Sequence, residues 1–82
     1  MKKVITVNTT SVYEARALAE LVGIANNYSS LITITMDNRK INVKSIMGVM
    51  GLGLDKGKVV EIEADGEDEV QAIAALEEFL IK

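Results

Sequence analysis

Apolar residues along the chain switch between a spacing of two and a helical spacing near 3.6, and each switch marks an element. Val4-Ile5-Thr6-Val7 is a β-branched run followed by the polar Asn8-Thr9-Thr10-Ser11, which predicts a strand feeding a helix N-cap. Ala15, Leu18, Ala19, Leu21, Val22 and Ala25 then recur near the helical period and stop at Asn26-Asn27, placing a helix over roughly residues 14–26. Leu31 to Met36 alternates, Asp37-Asn38 has turn chemistry, and Lys40 to Val43 resumes the alternation, as in a β-hairpin. Ser45 to Leu52 is apolar at helical spacing but short and rich in glycine, which predicts a helical stub exposed on one side. Gly53 to Gly57 interrupts the pattern, and Lys58 to Ala64 alternates as a last strand. From Glu69 to Ile81 an amphipathic helix is predicted, with Val70, Ile73, Ala74, Leu76, Leu80 and Ile81 on its apolar side.

The resulting order, βαββαβα, implies an α+β fold in which helices cover one face of a mostly antiparallel sheet. Thr33, Thr35, Glu61 and Glu63 are then expected on the open, solvated face. At 82 residues the chain is expected to form a single domain over residues 1–82, with no internal repeat and no proline-marked linker.

Composition narrows the chemistry. The chain contains no cysteine and no histidine, which removes thiol chemistry, disulfides, the commonest metal ligand and the usual general base near neutral pH. No calcium-loop pattern is present, so neither a metal nor a cofactor is expected; the acidic Gly66-Glu67-Asp68-Glu69 reads as the start of the last helix. Only Tyr13, Tyr28 and Phe79 are aromatic, so the core must be aliphatic. A net charge of −3 with scattered basic residues argues against direct nucleic-acid binding. No apolar run reaches membrane-spanning or signal-peptide length, and with the missing cysteines this favours a cytoplasmic protein.

Two places hold candidate functional residues. Ser45 precedes the stub and suits both an N-cap and a modifiable hydroxyl, because a phosphate there would meet free N–H groups with Lys44 adjacent. Ile46, Met47 and Met50 cannot all face inward on so short a helix, and they suggest an apolar docking patch; gap-filling in the core is the other reading of the methionines. Glu14 and Arg16, two residues apart, are not neighbours on a regular helix. Glu14 suits the helix dipole, whereas Arg16 opposes it, which leaves solvation or a partner carboxylate or anion as its role.

With these segments in view, Ile41–Gly57, INVKSIMGVMGLGLDKG, closely resembles the V-N-A-K-S-I-M-G-V-M-S-L-G segment of HPr, the histidine-containing phosphocarrier of the bacterial sugar phosphotransferase system. Ala64–Leu80 is similar to the end of that family's last strand and its final helix. The resemblance implies an HPr-like open-faced β-sandwich with a four-stranded antiparallel sheet. Where the family has G-L-H-A-R-P-A, this chain has Val12-Tyr13-Glu14-Ala15-Arg16-Ala17-Leu18, so Glu14 stands at the phosphohistidine position and only Ala15 and Arg16 are kept. Histidine phosphoryl relay is thereby excluded, and the protein is expected not to be an enzyme. An acyl phosphate on Glu14 would need a metal and a developed pocket.

The family's second site is intact. In Gram-positive HPr and in the catabolite-repression homologue that lacks the histidine, the serine of K-S-I-M-G is phosphorylated by HPr kinase/phosphorylase. The phosphoprotein then acts as corepressor for a LacI-type catabolite control regulator. Ser45 matches that serine, with Lys44, Ile46, Met47 and Gly48 around it, while Gly51 stands where the family often has serine. The resemblance implies a regulatory partner switched at Ser45; Arg16, Lys44, Ile46, Met47 and Met50 are the expected contacts, while Tyr13 either joins them or packs under the loop as a core residue. A constitutive binding module with Glu14 as fixed negative charge is the alternative, and exchange of the first strand to form a dimer is left open.

Overall fold

The computed structural model describes residues 1–8, 15–51, 53–54 and 56–81, and the side chains of Ala15 and Arg16 are outside that description. Its elements follow the expected order: β1 (Lys2–Thr6), α1 (Ala15–Asn26), β2 (Leu31–Met36), β3 (Arg39–Asn42), α2 (Ile46–Met50), β4 (Val59–Asp65) and α3 (Glu69–Leu80). The four strands form one antiparallel sheet in the order β1-β4-β2-β3. The hairpin between β2 and β3 closes at Asp37 and Asn38, both with positive φ, 52° and 66°. Two such residues match the right-handed twist of the flanking strands, as a type I′ turn requires, and Asp and Asn tolerate that region better than bulky residues do.

Alternation along β2 and β4 decides which face is covered. Ile32, Ile34 and Met36 of β2 and Val60, Ile62 and Ala64 of β4 are buried, while Thr33, Thr35, Glu61 and Glu63 are half-exposed on the opposite side. Ile34 lies opposite Ile62 across the central strand pair. Leu18, Leu21 and Ala25 of α1, Val49 of α2, and Ile73, Leu76 and Leu80 of α3 pack onto this face with Val7, Val43 and Leu54, and among the described residues the buried cluster is mainly aliphatic, with Phe79 in it and Tyr28 against it.

The buried stripes differ from the expected ones at several positions. In α3, Ala72 and Phe79 are buried with Ile73, Leu76 and Leu80, whereas Val70, Ala74 and Ile81 are exposed. In α1, Ala17 is buried and Ala19 exposed. Both helices are apolar around more than one stripe, so hydrophobicity alone does not identify the column facing the sheet.

The acidic segment before α3 does start the helix, with Asp68 as N-cap residue, but its side chain makes no cap bond. The carboxylate instead accepts from the backbone N–H groups of Ser29 (2.8 Å) and Ser30 (3.0 Å) and from the Ser30 hydroxyl, joining the turn after α1 to the start of α3. Ser30 is fully buried, so its hydroxyl needs this partner. Donation from that hydroxyl, and then from the two N–H groups, holds the Asp68 carboxyl at about 2, below its ordinary 3.8. A carboxyl depressed in the folded state stabilises above its unfolded value and loses that contribution as pH falls through the folded one. The stability gap between wild type and Asp68→Asn, which mimics the protonated acid, is therefore expected to be constant above about pH 4 and to close toward pH 2. Urea unfolding followed by circular dichroism across that range checks it; a gap that widens on acidification would contradict the assignment.

Candidate functional site

The turn from β3 into α2 is built from short-range polar contacts. The Asn42 carboxamide oxygen accepts from the Lys44 N–H (2.9 Å), two residues on, and the Ser45 N–H donates to the Asn42 carbonyl (3.1 Å). This is the self-capping habit of asparagine at turns. Ser45 has extended φ and ψ of −103° and 114°, as an N-cap residue should, and its Oγ accepts from the Gly48 N–H at 3.4 Å. Its carbonyl receives the Val49 N–H at 3.1 Å, closing the first helical turn.

A five-residue helix cannot hold itself together, so the rest of the fold must hold it. Val49, buried, is its anchor in the core, and Val43 is buried just before the turn. The Lys44 ammonium donates to the Tyr28 carbonyl (2.7 Å), and Asn26 Nδ2 donates to the Lys44 carbonyl (3.4 Å), fastening the N-terminal side of α2 to the end of α1. At the other end, Arg39 Nη2 donates to the Gly51 carbonyl (2.6 Å), where a cation also suits the negative end of the helix.

Ser45 is exposed at the edge of an apolar patch formed by Ile46 (39% exposed), Met47 (82%) and Met50 (57%). Met47 and Met50 therefore do not fill gaps in the core. Such a patch suits protein contact, and methionine adapts to varied partners. Gly48 sits against the serine, since a Cβ there would lie 3.7 Å from Ser45 Oγ, at ordinary contact distance.

The described structure thus brings together Ser45, Lys44, Ile46, Met47 and Met50. Tyr13 and Glu14 lie outside the described residues, as does the side chain of Arg16, whose backbone belongs to the first turn of α1. Lys44 takes a role the sequence did not indicate, because its ammonium tethers α2 to Tyr28. Arg39, Asn26 and Asn42 are further residues that shape the site. Asn42 had a readable signal, an asparagine two residues before an N–H at a turn; the long-range ties of Arg39 and Asn26 had none.

Neither the concavity between α1 and α3 nor the one on the open sheet face around Thr33, Lys40 and Glu63 is lined by Ser45. Among the described residues there is no cluster of three or more potential metal ligands, and no helix is long and apolar enough to cross a membrane. What surrounds Ser45 is an exposed patch on a short, firmly held helix.

Comparisons with known proteins agree on one family. The family model described as "PTS HPr component phosphorylation site" matches residues 1–82. The chain is 42% identical over 75 residues to phosphocarrier protein HPr of Xylella fastidiosa strain Temecula1, covering 92% of this chain and 84% of that one. Among solved structures, a phosphocarrier protein HPr from Bacillus anthracis superposes with a TM-score of 0.93 at 32% identity, covering 98% and 95% of the two chains. Bacillus subtilis Crh, described as a catabolite repression protein with a swapped domain in a dimer, superposes with a TM-score of 0.77 at 34% identity, covering 93% and 83%.

Proposed function

This chain belongs to the HPr family of the sugar phosphotransferase system, and on that premise we propose that it is a regulatory member, switched by phosphorylation of Ser45. The observation that carries the reading is the position of Ser45: an exposed hydroxyl at the start of α2, beside the exposed Ile46, Met47 and Met50. Absence of histidine from all 82 residues supports the other half, since phosphohistidine cannot form. In this reading the protein is a non-catalytic cytoplasmic domain over residues 1–82. HPr kinase/phosphorylase modifies it, and a LacI-type catabolite control regulator, or an enzyme, binds the modified form.

The mechanism follows from charge. A phosphate adds nearly two negative charges and three acceptor oxygens at Ser45, beside the N–H groups opening α2. A partner with an arginine cluster pairs with the phosphate, while Met47 and Met50 supply apolar contact. By resemblance to the family, Arg16 and Tyr13 are further partner contacts, and Glu14 stands in sequence at the former phosphohistidine position with a fixed negative charge.

Intact-mass analysis after incubation with ATP and HPr kinase/phosphorylase tests the reading, with HPr as positive control. One added phosphate is expected on wild type and none on Ser45→Ala or Ser45→Asn. Asparagine keeps the cap, so its failure to accept phosphate separates modification from loss of the helix start, which with alanine costs about 1 kcal/mol. No addition to wild type, with the control fully modified, would overturn the switch and leave a constitutive binding module.

A further inference from the structure

We propose that the groove between α1 and α3 is a docking site for an arginine side chain on a basic segment of a partner protein. The groove is separate from Ser45 and goes beyond the regulatory reading of that residue. Its volume is about 260 Å³, and its lining includes Ile24, Ala75 and Phe79, with Tyr28 beside them and a glutamate from each helix, Glu20 and Glu78. Pockets that enclose whole small molecules run to roughly 300–1,000 Å³, so a space of this size suits one long side chain.

Charge identifies the occupant. Other acids of the helical layer have cations of their own: Glu69 meets the N-terminal ammonium at 2.8 Å, and Glu77 meets Lys3 at 2.8 Å. Glu20 and Glu78 form no ion pair with any described residue, and both are exposed. Two carboxylates on facing helices, with no cation paired to them among the described residues and an apolar floor beneath, complement a cation with an apolar stem. Arginine fits better than lysine, because its planar guanidinium presents several donors to the carboxylates, stacks on an aromatic ring such as Tyr28 and is weakly hydrated.

The test is a nitrogen-15 NMR titration of the full chain with the capped tripeptide acetyl-Gly-Arg-Gly-amide, beside its citrulline analogue, which keeps the shape and loses the charge. Saturable shifts are expected at the amides of Glu20, Ile24, Tyr28 and Glu78, weakening with added salt and about tenfold or more in the double variant Glu20→Gln/Glu78→Gln. The citrulline peptide should leave the spectrum unchanged. Each single variant is expected to weaken binding by a smaller factor, which keeps the test decisive if the double variant is poorly folded. Equal binding of citrulline, shifts centred on the acidic turn before α3, or unaltered binding by the glutamine variants would each overturn the proposal. Concentration-dependent shifts at the groove without peptide would overturn it in favour of a second copy of the chain.

Discussion

Ile62→Ala is expected to destabilise the protein by about 4 kcal/mol, whereas Glu61→Ala, one residue earlier on β4, should change stability by no more than about 0.5 kcal/mol. Ile62 is fully buried on the covered face of an interior strand, opposite Ile34 of β2 and Lys3 of β1 in the register. Removing its outer carbons forfeits their transfer from water and leaves a cavity that the sheet, hydrogen-bonded on both sides of β4, can collapse around only in part. Small domains are stable by roughly 5–15 kcal/mol in total, so the variant should unfold at far lower urea. Equal effects of the two substitutions would mean that β4 presents its other face to the helices, since a one-residue slip exchanges inside for outside.

The second large effect is expected at Gly66, where alanine should cost about 3 kcal/mol by overpacking. A Cβ there would lie 2.7 Å from Ser30 Cα and 2.6 Å from its Oγ, closer than real Cβ contacts come. The obstacle is backbone, so a rotamer change cannot relieve it. Ser30 is fully buried and donates twice to Asp68, so moving it also disturbs the link between the turn after α1 and the start of α3. Urea unfolding of Gly66→Ala at neutral pH gives the cost. A wild-type midpoint would show that the two turns do not pack this closely.

These two positions show which parts of the fold are legible in the sequence. Alternation along β4 is a local pattern with a period of two, so the residue order alone sorts Ile62 and Glu61 to opposite faces. Asp37-Asn38 is legible for the same reason, because turn chemistry acts over a few residues. Gly66 and Ser30 meet across the fold, and nothing near either in sequence announces the contact. The same division runs through the site. Ser45 and its exposed methionines follow from helix-start chemistry and from the small buried area available to so short a helix. The Lys44–Tyr28 and Arg39–Gly51 ties depend on long side chains reaching over distances that sequence spacing does not encode. The α3 stripe departs from the expected one because exposed Val70 and buried Ala72 both fit an apolar helical pattern, and only the sheet beneath distinguishes them.

Strand order has a consequence for how the protein folds. β4 lies between β1 and β2, so the first strand and the β2–β3 hairpin share no hydrogen bonds with each other. Until β4 pairs, the chain holds a lone strand and a hairpin with no common edge. An isolated hairpin is marginal in water, and pairing between distant segments is slow to start. Docking of β4 then joins both at once, which makes its pairing the step that commits the polypeptide to its native sheet.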